Sequence, residues 1–93
     1  MLFDDESPIR PDGNGIRRRR HDRGWAPRGL IDAIATARMK QAGLTETITP
    51  HLLWGIEDRN EPIPYETLCW IASGLDCDPV ELLLDEEPEN NDA

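Results

Sequence analysis

A chain of 93 residues has room for one domain, and at that size folding buries only about 60 % of the unfolded surface, so any core is small and compact. Its 38 % hydrophobic and 5 % aromatic content points to a folded centre between polar ends, without any apolar run near the ~20 residues that span a bilayer. The net charge of −9 is unevenly divided: residues 1–40 set nine of the ten basic residues against six acids, a balance of +3, whereas residues 41–93 set Arg59 against thirteen acids, a balance of −12. Acids follow Met1-Leu2-Phe3 where a secretory signal would be apolar, and Cys69 and Cys77 are too few for a disulfide framework or a zinc site. These features set the expectation of an intracellular, cytoplasmic protein with reduced thiols, no cofactor or metal, and no membrane partner.

Residues 1–27 read as a disordered basic arm. They carry Pro8, Pro11, Pro27, Gly13, Gly15 and Gly24, the run Arg17-Arg18-Arg19-Arg20, and no apolar period. Residues 28–86 read as the folded, all-α domain, and residues 87–93 as an acidic disordered tail. The first helix is expected from about Arg28 to Ala42, because Leu30, Ile31, Ile34, Ala35, Ala37, Met39 and Ala42 share one arc and Asp32, Thr36 and Lys40 lie opposite. Gly43 supplies its left-handed stop.

Three later helices are expected to open on proline at the first helical position, where a missing N–H costs nothing. Thr49-Pro50 opens one to about Arg59, with Thr49 as cap and Leu52, Leu53 and Ile56 inward. Ile63-Pro64 opens the next to about Leu75, with Leu68, Cys69, Ile71, Ala72 and Leu75 inward and Gly74 or Asp76 ending it. Asp78-Pro79 opens the last to about Asp85, with Glu81 completing a capping-box variant and Val80, Leu83 and Leu84 inward. Short connections suit a small four-helix, or five-helix, bundle.

The stretch from Gly55 to Leu83 resembles the second half of the phage-repressor/Cro-type (XRE-like) helix-turn-helix domain. Ile56-Glu57, Pro62, Glu66-Thr67-Leu68, Ile71-Ala72, Leu75 and Leu82-Leu83 carry the likeness, and Ala42-Gly43-Leu44-Thr45 is similar to the family's closure of the first helix. The resemblance implies a lambda-repressor-like fold, double-stranded DNA as partner, transcriptional regulation and a homodimer. One departure is large: between Leu44-Thr45 and Ile56-Glu57 the chain is about seven residues shorter than the family, so the helix bracing the recognition helix is expected to be shortened or missing. Relatives often pair an arginine of the first helix with the Glu of Ile-Glu. That implies an ion pair between Arg38 and Glu57, against the alternative that Arg38 snorkels to solvent.

Carried over, the base-reading positions are Thr49, Pro50, His51 and Trp54 at the start of the recognition helix, with Arg59 near the groove. Glu57, Asp58 and Glu61 would repel phosphates there. The positive footprint for DNA is therefore the arm, Arg17, Arg18, Arg19, Arg20 and Arg23, with Arg28 beside it; a solubilising tail, or pairing with the chain's own acids, is the competing reading. Trp54 and Trp70 fall off the apolar faces, as ring anchors for a protein partner or as fillers of a groove left by the missing helix. Neither a nucleophile–base set nor a phosphate loop stands in the sequence, so no enzyme and no small-molecule substrate are expected. Two functions remain open: a DNA-associated transcriptional regulator, and an adaptor, antiactivator or DNA mimic acting through its acidic surface and tryptophans.

Overall fold

The computed structural model describes residues 8–84, which fold as a small all-α bundle of four helices: α1 (Gly13–Asp22), α2 (Pro27–Ala42), α3 (Pro50–Arg59) and α4 (Tyr65–Leu75). A 3₁₀ turn, Pro79–Leu82, follows α4. The acidic tail 87–93 lies outside the described residues.

Helix α1 corrects the expectation of a disordered arm over residues 8–27. Asp12 caps it, its carboxylate accepting from the Gly15 N–H at 3.1 Å. Arg19, Arg20 and His21 occupy the last turn, where the helix dipole favours positive charge. Gly24 (φ 71°) turns the chain toward α2. Hydrophobic periodicity could not reveal this helix, because its inner face consists of Gly13, Ile16 and Arg20. The segment before it is tied down by backbone pairing: Ile9 exchanges hydrogen bonds with Ile63 at 2.8 and 2.9 Å. Asp12 N–H then donates to the Leu82 carbonyl at 2.7 Å, and Leu84 N–H to the Arg10 carbonyl at 3.0 Å. Residues 9–12 thus run as a strap between the α3–α4 connection and the end of the chain's described part.

The remaining helices follow the sequence expectations closely. Pro27 starts α2, and Gly43 (φ 72°) ends it by returning its N–H to Met39 at 3.0 Å. Thr49 caps α3 by accepting from the Leu52 N–H at 3.0 Å, and Asn60 (φ 54°) closes it. Pro64 is the cap of α4 rather than its first residue, and Asp76 (φ 57°) supplies the left-handed stop, not Gly74. Gly74 faces α2 instead, where a Cβ would press on Ile34.

Ile16, Leu30, Ile34, Ile48, Leu53, Ile56, Ile63, Leu68, Ile71, Ala72, Leu75 and Leu82 form one core. Burying such a side chain contributes about 1.5–3 kcal/mol. Ile48 and Ile63 enter it from connections, the first held by the Thr47 hydroxyl donating to the Ile31 carbonyl at 2.8 Å. The last segment differs from the expected helix: a 3₁₀ turn advances three residues per turn, so Leu82 is buried while Val80 is exposed. Asp78 N–H does reach the Glu81 carboxylate, at 3.4 Å. On α2 the inward residues are Leu30 and Ile34; Met39 and Ala42, expected on that face, are exposed, while Gln41 of the last turn accepts from the Ser73 hydroxyl of α4 at 3.3 Å.

Candidate functional site

Helix α3 is held from behind by charge. Arg20 of α1 grips Glu57 with both carboxylate oxygens engaged, Nε to Oε2 and Nη2 to Oε1, each at 2.8 Å. The side chains are 8 % and 6 % exposed, so the pair is buried. The third arm of the fork, Nη1, donates to the Trp25 carbonyl at 2.8 Å. Arg17 adds Nε to the same carboxylate at 3.4 Å and Nη2 to the Glu57 carbonyl at 3.2 Å. The Glu57 hydrogen bond raises the Arg20 pKa above its ordinary value, against the opposing effect of burial. At the other end of the contact, Gly13 N–H donates to the Asn60 side-chain oxygen at 2.8 Å, so α1 meets the closing turn of α3.

This arrangement corrects the expected partner of Glu57. Arg38 does not reach it; it bonds Glu46 at 2.7 Å and lies over the Trp70 ring at 4.5 Å. The arginine opposite Glu57 comes from a helix earlier in the chain. Between α2, which ends at Ala42, and α3, which begins at Pro50, no further helix stands.

The arginine run is divided: Arg17, Arg19 and Arg20 are engaged within the fold, and Arg18 is displayed. Arg20 is buried and cannot reach a phosphate. Arg19 pairs with Glu81 at 3.1 Å, and Arg23 donates to the Leu75 carbonyl at the end of α4 and to the Arg19 carbonyl, with its guanidinium 5.7 Å from the Trp25 ring. Arg17 keeps 41 % of its side chain exposed beside Glu57. Arg18 and Arg28 are exposed. Arg17 and Arg20, three apart, share one face of α1, the face that meets Glu57.

The outward face of α3 exposes Pro50, His51, Trp54, Asp58 and Arg59. Trp54 is 53 % exposed. The His51 ring stacks near it, centroids 6.2 Å apart at 28°, and the Arg59 guanidinium lies 5.0 Å from its centroid while bonding Glu61 at 2.8 Å. Thr49 is exposed, and its hydroxyl oxygen accepts the capping hydrogen bond while the O–H remains available to donate. Arg28 and Pro50 line one shallow cleft with Ile31 and Asp32, so the first turns of α2 and α3 lie side by side.

Trp70 differs from Trp54. It is half-buried, and Arg38 covers its face along an open groove of about 770 Å³ between α2 and α4, lined also by Gln41, Tyr65, Cys69 and Ser73. The expected exposed pair of tryptophans is therefore one exposed ring and one covered ring. Cys69 and Cys77 are free thiols, both partly buried. Burial raises the Cys77 pKa, although Arg19 and Arg23 nearby pull it down.

Among the described residues no cluster of His, Cys, Asp or Glu could hold a metal ion, and no helix is long and apolar enough to cross a membrane. Compared with family models, curated proteins and solved structures, the chain matches none.

Proposed function

We propose that the protein is a DNA-associated transcriptional regulator in which α2 and α3 act as a modified helix-turn-helix on a lambda-repressor-like scaffold. The observation that carries this reading is the setting of α3: Arg20 and Arg17 hold Glu57 on its inner side while the opposite face of α3 is open. Helix order then runs first helix, brace, presented helix, and two closing elements. Glu57 ceases to oppose phosphates, since Arg17 and Arg20 give the triad a net positive charge. Exposed Arg28 stands at the adjacent first turns of α2 and α3, in a cleft shared with Asp32, as a positive charge for a phosphate backbone. Residues 43–49 connect the two helices, a longer link than the ~3–4-residue turn of a helix-turn-helix.

The test is fluorescence anisotropy of the whole chain with duplex DNA across a salt series. Binding at low salt that weakens steeply as salt rises, and that drops on Arg18→Ala with Arg28→Ala, supports the reading. Absence of binding at the lowest salt overturns it, because the electrostatic contribution is largest there.

A second reading draws on the net charge of −9 and the 53 % exposure of Trp54: a protein partner, or a second copy of the chain in a homodimer, docks on α3 as in an adaptor or antiactivator. Trp54→Ala then abolishes that association, whereas charge substitutions at Arg18 and Arg28 leave it intact.

A further inference from the structure

A guanidinium meets a carboxylate best along one edge, with Nε and one Nη each donating to a separate oxygen. Arg20 uses that edge in full on Glu57, both bonds being 2.8 Å. Arg38 uses half of it. Its Nη2 donates to Glu46 Oε1 at 2.7 Å, while its Nε is buried with no hydrogen-bond partner among the described residues. The side chain is held in place, 14 % exposed, with the guanidinium over the Trp70 ring at 4.5 Å from its centroid. Stacking on an aromatic face fixes the plane of the fork and leaves donation to its edges. A buried N–H without an acceptor is unfavourable, so an acceptor that reaches it gains more than one that merely exchanges with water.

Glu46 is a weak holder of that edge. It is 57 % exposed and stands in the 43–49 connection, outside the helices, so water screens its attraction to Arg38. Arg38 also lines the open groove of about 770 Å³ between α2 and α4, a volume that suits a small organic molecule. Pro64, Tyr65 and Trp70 give the groove its apolar surface, and Tyr65 is 48 % exposed. Glu66 on the same wall repels an anion from its own position and so favours the Arg38 side. We propose that this groove binds a small aromatic carboxylate, whose two oxygens take Nε and Nη2 of Arg38 in place of Glu46 and whose ring lies against Pro64 and Tyr65.

The test is NMR of the whole chain, following the Arg38 Nε–H and Trp70 indole N–H signals as phenylacetate, phenylacetamide or acetate is added. Phenylacetate should move both signals to saturation. Phenylacetamide has the ring without the charge and acetate the charge without the ring, so each should bind at least about tenfold more weakly. Glu46→Gln, an exposed substitution that removes the competing charge, should bind phenylacetate about two- to fivefold more tightly. Arg38→Lys, with its fold checked by circular dichroism, keeps the charge but cannot bridge two oxygens, and should lose the binding. No saturable shift with phenylacetate overturns the proposal, as does an equal response to acetate or phenylacetamide, or an affinity that Glu46→Gln leaves unchanged. Signals that move on dilution without any added compound would put a second copy of the chain in the groove and overturn it too. None of these outcomes depends on whether the chain binds DNA.

Discussion

Removing the Glu57 carboxylate should damage the fold more than removing Arg20, although the two are partners in one ion pair. In Glu57→Ala the Arg20 guanidinium stays buried, its side chain 8 % exposed, with only the Trp25 carbonyl left as acceptor. Orphaning a buried charge costs about 3–5 kcal/mol. In Arg20→Met the carboxylate still has Arg17, which needs to close only from 3.4 Å and keeps 41 % of its own side chain in water, so the loss should be about 1–3 kcal/mol. Replacing both, Arg20→Met with Glu57→Leu, leaves an apolar contact between α1 and α3, and stability should return to within about 1 kcal/mol of the native chain or exceed it. The assay is urea unfolding followed in parallel by circular dichroism and tryptophan fluorescence, with coincident transitions as the check on two-state behaviour. With a slope of roughly 1–2 kcal/mol per molar urea for a chain this size, Glu57→Ala should move the midpoint by on the order of 2 M. A loss below about 1 kcal/mol for Glu57→Ala, or a double variant no more stable than Glu57→Leu alone, would refute the reasoning.

Three other outcomes follow from the same contacts. Gly13→Ala should cost about 1–3 kcal/mol in the urea assay, because a Cβ there overlaps the Ile56 carbonyl and α1 must lift away from α3. Deleting residues 1–22 should abolish cooperative thermal unfolding, since it removes Ile16, Arg20 and the strap at Ile9–Asp12; a sharp transition in that variant would mean that α1 is dispensable. Burial raises the Cys77 pKa, so thiolate forms only above the usual pH range and alkylation by iodoacetamide near pH 8 should be slower in the folded chain than in urea. The rate should climb as pH rises through that raised value, and fast alkylation of Cys77 near neutral pH, read by peptide mass mapping, would contradict it.

The all-α class, the starts of α2 and α3, and most of the apolar core were legible from residue order alone. Proline at a first turn, Thr49 as a cap, Gly43 after α2 and the apolar spacing of Leu68, Ile71, Ala72 and Leu75 each act within a few residues of themselves. Helix α1 was not legible by the same route. Its inner face carries a single large apolar residue, Ile16, and its stability depends on Glu57, which is 37 residues away from Arg20. A run of arginines has the same composition whether it is solvated or folded, and only the partner across the bundle separates the two cases.

The same reason governs the candidate site. Sequence determined that Thr49, His51, Trp54 and Arg59 share one helix, because helical spacing is local. Tertiary structure decided that Trp54 stays open while Trp70 lies under Arg38, and that Glu57 is turned inward. Exposure and ion pairing depend on which distant segment arrives at a surface. Here the arriving segment was α1, whose Arg17 and Arg20 sit against α3, with Arg23 just after it bonded to the end of α4.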